Sequence, residues 1–194
     1  MVDLKELHKY FIKRRLGEGG VCVDFTMGNG NDTLFLSETV GEGGRVYAFD
    51  IQDKALLETE KKLKEAGCPE NYKLIKASHH LVKDFVKEPI TAGIFNLGYL
   101  PGSGQKAVTT MRETTMPAVE AAIDLLLPDG VIIIAIYPGH EEGFLEGEML
   151  REYFKTTSRF KLCPTEVHIL NSPSSPYFFL VEKSRKAEMP VISG

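Results

Sequence analysis

Three things are scarce in this sequence. Cysteine is the first: Cys22, Cys68 and Cys163 are odd in number, widely spaced and include no C-x-x-C pair. That pattern argues against a disulfide framework or a zinc site and for reduced thiols in a cytoplasmic protein. Long apolar runs are the second, since none approaches the ~20 residues of a membrane span. Nor does Met1-Val2-Asp3-Leu4-Lys5 show the charged-then-apolar pattern of a secretion signal. The third is positive charge. With a net charge of −4, a polyanionic partner would have to meet a local basic patch. What remains is 194 residues, 43% of them hydrophobic, enough for a substantial core. One domain is expected over residues 1–183, opening with a helix at 3–16 and followed by a polar tail over 184–194. No metal site is expected.

One stretch organises the rest. Val21-Cys22-Val23-Asp24-Phe25-Thr26-Met27-Gly28-Asn29-Gly30-Asn31-Asp32-Thr33 opens on β-favouring residues and closes on side chains suited to a helix start. It reads as a strand end, a bare-backbone turn and a first helical turn, a geometry that aims unpaired N–H groups at an anion. About twenty residues on, Arg45-Val46-Tyr47-Ala48-Phe49-Asp50 makes a second strand ending on a carboxylate. An acid at that offset is where nucleotide-binding α/β units hold ribose hydroxyls. The dinucleotide fingerprint fails, because Thr33 stands where the third small residue belongs. A phosphate loop fails too, because no lysine follows Gly30. Asp24, Gly28, Gly30 and Asp50 instead resemble the S-adenosylmethionine site of class I methyltransferases. The resemblance implies that the glycines admit the methionyl part and that Asp50 grips the ribose. The competing reading is an ordinary strand–helix turn with incidental glycines.

Before this stretch, Leu4, Leu7, Phe11, Ile12 and Leu16 recur at three- and four-residue steps. They predict an amphipathic helix that covers the sheet edge or the cofactor pocket. Its Lys9, Lys13, Arg14 and Arg15 read as a solvated face rather than a phosphate contact. After it, Asp53 is expected to cap a helix reaching Ala66, and Tyr72 to Ala77 to form a third strand. A βαβαβ unit is thus complete by residue 77, and right-handed crossovers make its sheet parallel. Ser78-His79-His80 follows. In a methyltransferase this loop approaches the adenine, which makes Ser78 and His79 cofactor-side candidates, although both histidines read better as helix-start residues than as catalysts.

A second informative stretch is Ala92-Gly93-Ile94-Phe95-Asn96-Leu97-Gly98-Tyr99-Leu100-Pro101-Gly102. Ile94-Phe95 ends a fourth strand, which in a doubly wound sheet lies beside the first, where ligands bind. Asn96 then falls next to the transferable methyl and offers an uncharged acceptor for an amine N–H. Tyr99 adds a ring for stacking a base. The stretch is similar to the N/D-P-P-Y/F motif of amino-group methyltransferases, with Leu97-Gly98 in place of the prolines. A helix over Thr109 to Leu127 comes next, with Lys106 and Arg112 as candidates for an RNA phosphate. Val131 to Ile136 is a buried central strand, and Tyr137-Pro138-Gly139-His140 sits at its carboxyl end. His140 could take a proton from an amine, bind a phosphate or be plainly structural. Glu166 to Leu170 and Tyr177 to Glu182 are expected to be the last two strands, antiparallel because their connection is short.

Four segments taken together resemble one small family: Asp24-x-Thr26-x-Gly28-Asn29-Gly30-Asn31-Asp32-Thr33, Phe49-Asp50-Ile51-Gln52, Phe95-Asn96-Leu97-Gly98-Tyr99-Leu100-Pro101 and Tyr137-Pro138-Gly139-His140. It is the tRNA 5-(aminomethyl)-2-thiouridine methyltransferases of the MnmM/YtqB type, long labelled rRNA methylases, and the resemblance runs from about residue 3 to residue 183. It implies an α/β fold of the Rossmann-like class I methyltransferase kind: a mostly parallel seven-stranded sheet with an antiparallel C-terminal hairpin and helices on both faces. It also implies S-adenosyl-L-methionine as methyl donor, with S-adenosyl-L-homocysteine as product. The acceptor would be the aminomethyl nitrogen of the tRNA wobble uridine, and the partner the tRNA anticodon stem-loop; a homodimer is left open. On this reading Asp24, Thr26, Gly28, Asn29, Gly30, Asn31, Asp32, Thr33, Asp50, Gln52, Ser78, His79, Asn96 and Gly98 hold the cofactor. Asn96, Tyr99 and His140 act on the amine, while Tyr99, Leu100, Pro101, Lys106, Arg112, Tyr137 and Asn171 meet the RNA. Two loops depart from the family pattern, Gly102-Ser103-Gly104-Gln105-Lys106 and Asn171-Ser172-Pro173-Ser174-Ser175-Pro176-Tyr177, and both bear on substrate positioning. The competing functions are the same chemistry on rRNA or a small-molecule amine, and a non-catalytic nucleotide- or RNA-binding module. Intact Asp24, Gly28, Gly30, Asp50 and Asn96 argue against loss of activity.

Overall fold

The computed structural model describes residues 3–97, 110–139, 141–172 and 174–190. Among these, seven strands build one sheet: β1 (Val21–Asp24), β2 (Arg45–Asp50), β3 (Tyr72–Lys76), β4 (Ile90–Leu97), β5 (Leu126–Ile136), β6 (Leu162–Val167) and β7 (Tyr177–Lys183). Six α-helices accompany them: α1 (Leu4–Lys13), α2 (Asn31–Val40), α3 (Asp53–Glu65), α4 (Val82–Phe85), α5 (Arg112–Leu125) and α6 (Glu141–Thr156). A 3-10 turn at His79–Leu81 precedes α4. The strand order is β3-β2-β1-β4-β5-β7-β6. The first five run parallel, β7 lies antiparallel to β5, and β6 antiparallel to β7. This is the expected class I methyltransferase architecture. The order reverses between β1 and β4, so a crevice opens beyond their carboxyl ends, where open α/β sheets bind ligands.

The apolar run of β5 explains the layering. Ile132, Ile134 and Ile136 enter a core with Val119, Ala122, Leu150 and Phe154 of α5 and α6. The alternate residues Val131, Ile133 and Ala135 join Ile12, Leu36 and Val40 of α1 and α2 on the opposite face. A parallel strand covered on both sides must be apolar at every position, because neither side-chain direction reaches water. Phe25 and Phe95, at the tips of β1 and β4, stack with ring centroids 4.0 Å apart and planes within 5°. That contact stiffens the floor of the crevice from below.

Several boundaries differ from expectation, each for a physical reason. Helix α1 ends at Lys13, not at residue 16, and its N-terminus is capped by the Asp3 side chain accepting the Lys5 N–H at 2.9 Å. Asp53 is the first residue of α3 rather than its cap; Gln52 holds the extended cap position, and Asp53 is exposed in an ion pair with Lys76. Helix α5 starts at Arg112 rather than Thr109 and ends at Leu125 rather than Leu127. Pro128-Asp129-Gly130, expected as a turn before the strand, is an irregularity within β5: Ile90 pairs with Leu126 and Ala92 with Val131. Asp129 adopts φ 66°, and its carboxylate receives Arg15 at 2.8 Å and Arg185 at 3.1 Å. The clearest correction is β6, which occupies Leu162–Val167 instead of Glu166–Leu170. Pro164 falls inside β6, which tolerates it as an edge strand, where an N–H missing from the open side leaves no ladder bond unmade. Leu170, expected inside the strand, lies 86% exposed in the connection to β7. Among the described residues no helix is long and apolar enough to cross a membrane.

Candidate active site

A cavity of about 730 Å³ occupies the crevice. Its walls come from the β1–α2 turn, the carboxyl ends of β2, β4 and β5, the 3-10 turn, the start of α5, helix α1 and the β6–β7 connection. Hydrogen bonds, most of them between segments distant in sequence, set the functional side chains there.

Asp24 closes the turn from beneath. Fully buried, it accepts the Thr26 N–H at 3.1 Å and the Thr33 hydroxyl at 2.7 Å, tying the end of β1 to the first turn of α2. Burial, with the Asp32 charge as a second cause, pushes its carboxyl up to about 7. Gly28, at φ 53°, donates its N–H to Asp50 at 3.0 Å, and the other Asp50 oxygen accepts the Gln52 N–H at 2.9 Å. Asp50 therefore joins the glycine turn to the tip of β2 while lining the cavity, with lone pairs left for ligand hydroxyls. Thr26 reaches across to β4, where its hydroxyl accepts the Asn96 N–H at 2.7 Å.

At the centre stands Asn96. Its side-chain amide donates to Asp32 at 2.7 Å, which fixes the amide orientation, and the Tyr137 hydroxyl lies 3.5 Å from its oxygen. Burial, and then the Asp32 charge, raises the Tyr137 phenol. His79 is buried edge-on to Phe95, with Nδ1 3.3 Å from the Phe25 carbonyl; burial pulls it down to about 4, so it is neutral. As expected it starts a helical turn, and His80 beside it is exposed with Nδ1 2.8 Å from the Ser78 hydroxyl.

The cavity thus gathers Thr26, Gly28, Asn29, Asn31, Asp32, Asp50, Gln52, Ser78, His79, Asn96 and Tyr137 from the sequence-derived set. Asp24, Gly30 and Thr33 are not on its surface: they build the turn from behind. Gly30 in particular is small for the sake of the α2–α3 contact, because a Cβ there would come within 2.6 Å of the Thr59 hydroxyl and 2.9 Å of the Thr59 Cα. Arg112 is exposed and paired with Glu142 at 3.0 Å, away from the cavity wall. Asn171 is exposed, and it is Ser174 and Pro176 of the same connection that reach the cavity. Gly98, Tyr99, Leu100, Pro101, Lys106 and His140 lie outside the described residues.

Sequence reasoning missed Lys5 and His8, both on α1 and both lining the cavity. His8 is 8% exposed, packs edge-on against Phe178 at 4.4 Å and is held down to about 4 by burial. A signal existed: His8 falls four residues after Leu4 and four before Ile12, on the apolar stripe. Thr110 and Met111 were also missed. Glu146, fully buried in α6, holds this segment on either side of Met111, accepting the Thr110 hydroxyl at 2.7 Å and the Thr115 hydroxyl at 2.5 Å.

Chemically, the cavity offers an acid for hydroxyl groups in Asp50, a hydrogen-bonded amide–carboxylate pair in Asn96 and Asp32, and apolar lining from Phe25, Met27 and Phe49. Residues 46–183 match the sequence profile of the family described as "Putative rRNA methylase". The chain belongs to that family. A "putative rRNA-methylase" from Clostridium thermocellum superposes with a TM-score of 0.90 at 38% identity, covering 94% of this chain and 98% of the other. A "putative methyltransferase" from Streptococcus mutans, in complex with SAH, gives 0.85 at 32% identity over 94% and 99% of the two chains. The curated relative from Arabidopsis thaliana, "tRNA (mnm(5)s(2)U34)-methyltransferase, chloroplastic", is 35% identical over 86% of this chain, which spans 64% of that protein's length.

Proposed function

We propose that this protein methylates the aminomethyl nitrogen of 5-(aminomethyl)-2-thiouridine at the wobble position of tRNA, with S-adenosylmethionine as methyl donor. The observation that carries the reading is the Asp50–Gly28 junction and the Asn96–Asp32 pair lining one cavity. The first suits the ribose hydroxyls of a nucleoside and the second suits an amine beside a cationic methyl donor. The plant relative's name supports the tRNA substrate, and the SAH complex of the Streptococcus mutans relative supports the cofactor.

In this reading Asp50 holds the ribose, Gly28 leaves room for the methionyl part, and Ser78 and His79 border the adenine. When bound, the sulfonium supplies an activated methyl group. The chain's own contribution is orientation within a water-poor site, which suits an in-line displacement. Asn96 aligns the amine with its oxygen, and Tyr99 stacks on the base. The anticodon stem-loop of tRNA is the partner, in the cytoplasm. The family's printed description favours a second reading, methylation of ribosomal RNA. Mass spectrometry of nucleosides from cells lacking the protein separates the two. Unmethylated 5-(aminomethyl)-2-thiouridine should accumulate in tRNA; a normal tRNA profile with a methyl group missing from rRNA refutes the tRNA assignment.

A further inference from the structure

The Asn96 side chain is held by a carboxylate. Asp32 stands in the first turn of α2, lines the cavity and accepts the Asn96 amide at 2.7 Å. Its charge is felt by groups on three other elements: Asp24 on β1, His8 and Lys9 on α1, and Tyr137 at the end of β5. Lys5 on α1, Asp50 on β2 and His79 and His80 of the 3-10 turn complete the titratable groups around this cavity. Among the described residues no lysine or arginine forms an ion pair with Asp32. A carboxylate that lines a ligand cavity and forms no ion pair among the described residues is suited to a cation brought by the ligand.

We propose that Asp32 recognises the substrate as an ammonium ion and takes its proton before methyl transfer. This rests on the amine-methyltransferase reading above and extends it. An ammonium carries three N–H donors and a positive charge. Asp32 supplies a charged acceptor, and the Asn96 oxygen, on the other side of the amide from the NH2 that donates to Asp32 and 3.5 Å from the Tyr137 hydroxyl, supplies a neutral one. A hydroxyl or carbon nucleophile brings no charge for Asp32, so the pair selects for amines.

One ammonium proton passes to the Asp32 carboxylate, leaving a neutral amine with its lone pair. That pair forms the new N–C bond as the S–C bond breaks, and the bonding electrons stay on sulfur as a neutral thioether. The product is a methylated ammonium, and Asp32 returns its proton to water.

The test compares wild type with Asp32→Asn, which keeps size and an acceptor oxygen but removes the charge. Two anticodon stem-loop RNAs are used, one bearing 5-(aminomethyl)-2-thiouridine and the other plain 2-thiouridine. Fluorescence anisotropy at pH 7 in the presence of S-adenosylhomocysteine should show wild type favouring the aminomethyl RNA by roughly tenfold, as a charged hydrogen bond gives. Asp32→Asn should bind the two alike, with S-adenosylhomocysteine affinity by calorimetry and melting temperature unchanged. Single-turnover methylation should be most impaired at low pH and recover above the pKa of the amine, where solvent supplies the neutral form. A variant that keeps the preference, shows a pH-independent defect or loses S-adenosylhomocysteine affinity overturns the role. Asp32→Ser serves as a second variant should Asp32→Asn fold poorly. Wild type that methylates neither RNA refutes the function itself, a result distinct from failure of the Asp32 role alone.

Discussion

Gly30 offers a sharp test of how the glycine turn is built. It caps α2 at φ 73°, and a Cβ at this position would meet Thr59 at 2.6 Å on Oγ1, 2.8 Å on Cγ2 and 2.9 Å on Cα. Gly30→Ala should therefore incur two costs. Holding alanine in the left-handed region costs about 1–2 kcal/mol, and forcing a methyl group into occupied space costs about 1–3 kcal/mol more. Gly67 isolates the first cost: its φ is 67°, and nothing lies within 4 Å of a Cβ placed there. Urea unfolding should thus show Gly67→Ala destabilised by about 1–2 kcal/mol and Gly30→Ala by about 2–5 kcal/mol. Adding Thr59→Ala to Gly30→Ala removes the Oγ1 and Cγ2 overlaps but leaves the backbone Cα, so rescue should be partial and the pair non-additive. Equal losses for Gly30→Ala and Gly67→Ala would refute the claim that α3 packs on the glycine turn. Calorimetry with S-adenosylhomocysteine should show weaker binding for Gly30→Ala and not for Gly67→Ala, because the same shift displaces Gly28 and its bond to Asp50.

Asp50→Ala should weaken S-adenosylhomocysteine binding by roughly tenfold or more, the loss of charge-assisted bonds to ribose; unchanged affinity by calorimetry would place the cofactor elsewhere. Asn96→Ala should leave that affinity alone and lower turnover by about a hundredfold, as misplacing a reactant does, and an equal fall in both would assign Asn96 to the cofactor. Stability should rise between pH 4 and 6.5, because burial lowers His8 and His79 from 6.5 to about 4 and the unfolded chain binds protons there that the folded chain does not. Asp24 opposes this: its raised value means the folded chain keeps a proton that the unfolded one has released, a contribution lost as pH climbs toward 7. Two protons against one leave a net rise of about 1.4 kcal/mol per pH unit, and His8→Gln should flatten it. A urea midpoint that falls with pH across this window in wild type would contradict the burial of the two histidines.

Much of this molecule was legible before folding because its signals are local. The β1–glycine–α2 stretch, the carboxylate twenty residues on and the continuous apolar run at 131–136 each follow from backbone preference and periodicity, which act within a few residues. Crossover handedness, a property of L-amino acids rather than of this chain, then made the first three strands parallel, while the full seven-stranded sheet was implied by the family resemblance. Other features required the tertiary structure. Pro164 could sit in a strand only because β6 is at an edge, and edge position is a relation among seven segments. Gly30 reads as cofactor clearance in sequence but answers to Thr59, a residue brought against it by the packing of α3. His8 joins the cavity because α1 folds back over the sheet, and Asp32 faces Asn96 across 64 residues of chain. Sequence spacing specifies which chemistry a turn can present. Which side chains share one cavity depends on long-range packing, since contacts between distant segments leave no period in the sequence that joins them.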